Sequence, residues 1–224
     1  MKIKGDTIKD PAALLSGRLY RVYSDKTIIL EERETDDVVH IHFLIKEGQY
    51  GIYGNEYKPP FIEDKGGKKA DIFILVIDER RCCFSSWVID VKKSVGGENV
   101  IYHLVEQLTE AVKHKSAITT YLDEYAEEFH IGYITREICR DRIQETIKKK
   151  TAYLEKEKAN IQCLPALIGA EARLQLLKEE ARLKVLSAFQ SDCIEIGKNK
   201  FKIETYISQE KDGKYFYELN AECS

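Results

Sequence analysis

The chain has 224 residues, 43% of them hydrophobic. That suffices for one compact domain with an appendage, or two small domains, and is too much for a disordered chain. The formal net charge of −3 argues against a protein that coats nucleic acid non-specifically, while leaving room for a local basic surface. No apolar run approaches the ~20 residues that cross a bilayer, and no apolar stretch follows the charged start Met1-Lys2-Ile3-Lys4, so a soluble, cytoplasmic protein without a signal peptide is expected.

In chain order, Asp10-Pro11 predicts the N-cap and first position of a short helix over 9–17, stopped at Gly17. Residues 19–31 read as extended chain. Val38–Ile45 is rich in β-branched and aromatic residues and predicts a strand. Residues 46–70 carry Gly, Tyr and Pro and read as irregular chain or a short hairpin. The run Asp71-Ile-Phe-Ile-Leu-Val-Ile77 is nearly all apolar, which predicts a central strand covered on both faces. A turn at 78–84 leads to a second strand over 86–92. Gly96-Gly97 breaks the chain before a helix from Glu98 to about Leu122, in which Val100, Leu104, Leu108, Ala111, Val112 and Ile118 recur at helical spacing. Phe129–Thr135 predicts a strand reached through this helical crossover and parallel to a neighbour.

Residues 136–190 change character. Ile138, Ile143 and Ile147, then Leu167, Leu174, Leu177, Ala181, Val185 and Ala188, form apolar stripes in a highly charged segment. They predict two helices separated near Pro165, either a hairpin packed on the sheet or a surface for another chain. Residues 192–222 return to strand alternation, with turns at Gly197-Lys198-Asn199 and Lys211-Asp212-Gly213, and predict a three-stranded antiparallel meander. The resulting division is an α/β core over 1–135, a helical appendage over 136–190 and a β meander over 191–224.

The chemistry-bearing residues gather at the two central strands. Strand residues two apart share a face, so Asp90 and Lys92 project side by side, and Asp71 joins them from the neighbouring strand. Two carboxylates and an ammonium at one sheet edge suit a divalent cation together with a phosphate. Lys65, Lys68, Lys69 and Lys93 flank this edge as candidate contacts to nucleic acid. Other constellations are weaker. His40 and His42 share a strand face with no third ligand nearby and read as a surface pair. Cys82, Cys83, Cys139, Cys163, Cys193 and Cys223 contain no Cys-x-x-Cys spacing and read as reduced thiols. Gly-x-x-x-x-Gly-Lys and Gly-x-Gly-x-x-Gly are absent, and Ser85-Ser86 lacks a nucleophile-elbow context.

With Asp71 heading one strand, Asp90-Val91-Lys92 ending the next, and a helix and strand following, residues 9–135 resemble the PD-(D/E)xK nuclease superfamily. Ala70 stands where that family usually has Pro, and the second acid is Asp. The resemblance implies a restriction-endonuclease-like mixed sheet flanked by helices, and Mg²⁺ or Mn²⁺ held by Asp71, Asp90 and the Val91 carbonyl. Lys92 would orient or help deprotonate the attacking water and stabilise the transition state. It also implies a further acid, for which Glu47, Glu56 and Glu63 are candidates with Glu47 favoured, and a polar helix residue, Gln107. The expected activity is metal-dependent hydrolysis of phosphodiesters, with DNA as partner, in a bacterial defence or mobile-element setting known only by analogy of fold. Residues 136–190 would form a homodimer or dock a larger partner. The rival expectation is a catalytically inactive nuclease-like subunit, and a thiol enzyme using the vicinal cysteines stands behind both.

Overall fold

The computed structural model describes residues 20–21, 23–34, 37–55, 69–122, 124–162, 169–211 and 214–219. The expected helix over 9–17, Lys65, Lys68, Glu56, Glu63, Cys163 and the Pro165 break lie outside them. The chain is α/β, and its described residues divide into two units. The first comprises Met1–Lys93, Glu106–Arg136 and Glu204–Ser224; the second comprises Ser94–Val105 and Glu137–Ile203. This division differs from the three consecutive blocks read from sequence, because strands from the C-terminal segment join the first unit.

The first unit is built on two sheets. One has the order β1 (Tyr20–Arg21), β4 (Tyr50–Asn55), β5 (Ile72–Asp78), β6 (Cys83–Val95), β7 (Ala126–Ile138), β10 (Glu204–Ile207); the other has the order β11 (Gln209–Lys211), β12 (Lys214–Leu219), β3 (Asp37–Ile45), β2 (Lys26–Glu34). β5 runs antiparallel to both of its neighbours, β4 and β6, whereas β10 runs parallel to β7 and β12 parallel to β3, so both sheets are mixed. The 2-residue alternation of strands explains the core between them. Ile28, Leu30, Val39, Ile41, Phe43 and Ile45 from one sheet meet Ile72, Ile74, Val76, Trp87, Ile89, Val91 and Ile134 from the other. The alternate residues Phe73, Leu75, Ile77 and Val88 are buried on the opposite face. There the later part of helix α1 (Glu98–Thr119) is tied down by Gln107, bonded to the Lys69 carbonyl, and by Lys115, paired with Glu127. β5 is therefore covered on both sides, as its unbroken apolar run requires.

The second unit contains helices α2 (Arg140–Gln162) and α3 (Ala170–Gln190) and the antiparallel hairpin of β8 (Cys193–Ile196) with β9 (Asn199–Lys202). The two helices are laced by Lys150–Glu179 and Lys158–Glu180, each at 2.6 Å. The expected apolar stripe on α3 is not its buried face. Leu174 and Leu177 are 54% and 60% exposed, and burial is confined to Leu186 and Phe189 near its end. In its first half the charged residues meet α2, and apolar packing takes over only in the last turns.

Two other expectations are corrected. Residues 46–70, read as irregular or a short hairpin, include β4, whose Tyr and Gly content hid a strand that completes β5's hydrogen bonding on its second edge. The C-terminal meander does not exist as such: β8 and β9 pair with each other, β10 extends one sheet, and β11 with β12 extend the other. Alternation marks a strand but says nothing about which open edge will accept it.

The addition of β10 depends on Gly132, opposite Glu204 in the parallel ladder. A Cβ there would lie 2.4 Å from the Glu204 carbonyl oxygen and 2.9 Å from Tyr206 Cε2. Since the first of these atoms is backbone, Gly132→Ala must push β10 away from β7, and we expect a loss of about 1–3 kcal/mol in urea unfolding. An unchanged midpoint would refute this account of the pairing.

Candidate functional site

The site is assembled by one register. Ile72 on β5 pairs with Ile89 on β6, so Asp71 and Asp90 occupy the next rung on the same face. Alternation brings Lys92 to that face as well, while the intervening Val91 turns its side chain into the core between the sheets. Lys92 Nζ lies 2.5 Å from Asp90 Oδ2 and 3.8 Å from Asp71 Oδ2, and donates a 2.9 Å hydrogen bond to the Val91 carbonyl. The Val91 N–H donates to Asp71 Oδ2 at 2.7 Å. The three side chains expected from the sequence thus meet, with the Val91 carbonyl beside them.

Their burial is unequal. The Asp90 side chain is 0% exposed, that of Lys92 13% and that of Asp71 16%, so the cluster opens toward solvent on the Asp71–Lys92 side. The Asp90–Lys92 contact is close in distance but lacks hydrogen-bond angles, and neither carboxylate oxygen of Asp90 receives a hydrogen bond. A buried carboxylate with open lone pairs is costly. Burial, reinforced by the Asp71 charge and opposed by Lys92, holds the Asp90 carboxyl well above the ordinary aspartate range.

Gln107 is buried rather than solvated. Its Nε2 donates at 2.9 Å to the carbonyl of Lys69, two residues before Asp71, which anchors the entry to β5, and its Oε1 is buried without a partner. Lys69 is partly buried and Lys93 exposed. Glu47 is a correction. Tyr50 pairs with Ile77 and Asn55 with Ile72, so Glu47 sits at the far end of β5, five rungs or about 17 Å of strand beyond Ile72. There it lines a small groove with Lys46, Asp78, Arg80 and Arg81, and its N–H is held by Asp25 Oδ1 at 2.9 Å. It cannot join Asp71. Among the described residues no group of three or more His, Cys, Asp or Glu side chains is placed to hold a metal. Among the described residues the donors at this end of the strands are two carboxylates and one main-chain carbonyl. These hard oxygen ligands, with the orphaned oxygens of Asp90 among them, fit Mg²⁺ or Mn²⁺ rather than a softer ion.

A second polar cluster escaped the sequence reading. On the core side of the sheet, His130 stacks on Trp87 with ring centroids 5.0 Å apart; its Nδ1 lies 2.9 Å from Glu204 Oε1 and its Nε2 3.4 Å from Glu128 Oε1. Ser85 Oγ donates to Glu128, and Tyr206 OH to the other oxygen of Glu204. On the helix side, Lys115 pairs with Glu127 and sits 4.2 Å over the Phe129 ring, and Ser86 Oγ donates to Glu127 at 3.1 Å. Glu128 and His130 share β7 and Glu204 and Tyr206 share β10, but what joins these pairs to each other, to Ser85 and to Lys115 is contact between separate elements, which no local spacing signals. His40 and His42 line the outer face of the second sheet, His40 beside Glu31 at 3.4 Å, in keeping with a surface pair.

No protein-family model, curated protein or solved structure matches this chain.

The elevated Asp90 carboxyl has a consequence for stability. The folded state holds this proton more tightly than the unfolded chain, so the stabilisation is complete below the ordinary aspartate value near 3.8 and is lost as pH rises through the higher folded value. With divalent ions chelated, the urea midpoint of wild type relative to Asp90→Asn should fall as pH is raised from about 4 toward neutrality. A difference independent of pH would contradict the assignment.

Proposed function

We propose that this chain is a metal-dependent nuclease of the PD-(D/E)xK type that hydrolyses phosphodiester bonds, with DNA as its substrate class. The observation that carries this reading is the meeting of Lys92 with both Asp71 and Asp90 at one end of β5 and β6, where Asp90 is fully buried and its oxygens lack hydrogen bonds. A structural salt bridge has little need of a second carboxylate beside a buried first one; a cation site does.

In this reading Asp71, Asp90 and the Val91 carbonyl hold Mg²⁺ or Mn²⁺. When bound, the ion neutralises the phosphate and lowers the pKa of the attacking water. Asp90 is the fixed ligand, since strand pairing and burial allow it one position. Asp71, tethered by the Val91 N–H and partly exposed, faces the substrate side. Lys92 orients the water and donates hydrogen bonds to the phosphoryl oxygens as negative charge grows on them. Gln107 acts at one remove, positioning Asp71 through the Lys69 carbonyl. Lys69 and Lys93, with Lys65 and Lys68 nearby in sequence, supply cations for the nucleic-acid backbone. A cytoplasmic defence or mobile-element setting accompanies this reading. The exposed Leu174 and Leu177 of α3, with Tyr153 of α2, offer a surface for a second copy or a larger partner.

One observation favours the alternative of an inactive nuclease-like subunit: the Lys92 ammonium already offsets the charge of both carboxylates, and Asp71 is bonded to main chain. Cleavage assays separate the two. Supercoiled, linear and single-stranded DNA, and RNA, are incubated with Mg²⁺ or Mn²⁺. Wild type should yield product, and Asp71→Asn, Asp90→Asn and Lys92→Ala should each lose on the order of 10²-fold or more in rate while retaining the wild-type circular dichroism spectrum. Absence of product from folded wild-type protein on every substrate would favour the subunit.

A further inference from the structure

Lys92 stands where the ion belongs. Its Nζ contacts Asp90 Oδ2 at 2.5 Å, the Val91 carbonyl at 2.9 Å and Asp71 Oδ2 at 3.8 Å. These are the same three oxygens that the reading above gives to the divalent cation. We propose that Lys92 is a built-in occupant of the cation site, displaced when the metal enters and thereby delivered to the substrate side. The inference rests on the proposed metal site and adds a regulatory property to it: metal and ammonium compete for one position.

The physical argument has three parts. First, Mg²⁺ sits ~2.0–2.1 Å and Ca²⁺ ~2.3–2.6 Å from its oxygens, so such an ion and an ammonium at the distances observed cannot share these ligands; like charges repel at that range. Second, without an ion the lysine is needed where it is. Asp90 is fully buried beside a second carboxylate, and removing the cation in contact with both would leave buried negative charge uncompensated. Third, the lysine can leave. Its charge is carried on a flexible four-carbon stem, and the side chain retains 13% exposure, so an outward path exists. Asp90 has no such freedom, held at 0% exposure on a strand paired on both edges. The carboxylates stay and the ammonium moves. Lys92 would then meet the scissile phosphate only after the metal is bound, which orders the assembly of the site.

The test measures metal binding, not cleavage. Chelator-treated wild type, Lys92→Met and Asp71→Asn are titrated with Mn²⁺ by calorimetry, without nucleic acid. Lys92→Met keeps the length of the stem and removes its charge, and it should bind Mn²⁺ at least about fivefold more tightly than wild type, a modest coupling for two directly competing cations. Asp71→Asn should bind more weakly. Equal or weaker binding by Lys92→Met, with wild type still binding, would overturn the competition and leave the metal site standing. No Mn²⁺ binding by wild type or Lys92→Met would overturn both. A second measurement needs no variant, should Lys92→Met fold poorly. Reductive methylation of wild type, quantified by mass spectrometry, should label Lys92 faster with saturating Ca²⁺ or Mg²⁺ than with chelator. Labelling that is unchanged or slowed by the ion would equally overturn the displacement.

Discussion

The antiparallel pairing of β5 with β6 is the constraint on which the rest of this protein turns. Ile72, Ile74 and Val76 project to one face and Phe73, Leu75 and Ile77 to the other, and all are buried. A strand with no solvent face cannot slip by one residue without exchanging two apolar faces that are each already packed, nor can it lose a ladder bond without stranding a buried polar group. The register with Ile89 is accordingly rigid, and Asp71 and Asp90, one residue beyond the last apolar pair, inherit that rigidity. Two carboxylates that would avoid each other in water are set opposite each other on one rung by packing forces that have nothing to do with their charge.

The cost of that placement explains the remaining chemistry of the site. Water stabilises a carboxylate far better than a protein interior does, and Asp90 is cut off from water with its oxygens unbonded. Three responses to this cost are visible. The Asp90 carboxyl is pushed toward its neutral form, the Lys92 ammonium is drawn in beside it, and the Val91 N–H takes up the charge of Asp71. Each is a partial remedy, and a divalent cation would answer all of the unmet demand at once. Gln107 belongs to the same economy: its amide fixes the chain just before Asp71 and leaves one buried oxygen unpaired.

How much of this was legible in the chain differs by residue. The Asp71, Asp90 and Lys92 convergence was legible because it follows from period-2 alternation and one strand pairing, both local regularities. α1, α2 and α3 were legible through helical spacing and the glycine break at 96–97. Glu47 was misplaced because the sequence shows that it follows an apolar strand but not that β4 intervenes and runs antiparallel to β5, which carries it to the wrong end. Burial of Gln107 and the Ser85–Glu128–His130–Glu204–Tyr206 chain were invisible, since the links from Gln107 to Lys69, from Ser85 to Glu128 and from His130 to Glu204 span tens of residues. The α3 stripe misled for the opposite reason. Apolar periodicity marks a face able to be buried, whereas Leu174 and Leu177 remain open because the charged residues of α2 and α3 bind there instead.

By itself the amino-acid sequence determined most of the described strands and helices, β4 excepted, and which side chains share a face, because those properties come from backbone sterics and from spacing along a single element. Tertiary structure alone decided the partners: β10 on β7, β12 on β3, Glu47 far from Asp71, and Lys92 seated among the three oxygens at the end of β6. The reason is physical. An exposed strand edge accepts any extended segment, and a buried charge accepts any nearby counter-charge, so selection among candidates rests on how the whole chain fills its core, a quantity that no local window contains.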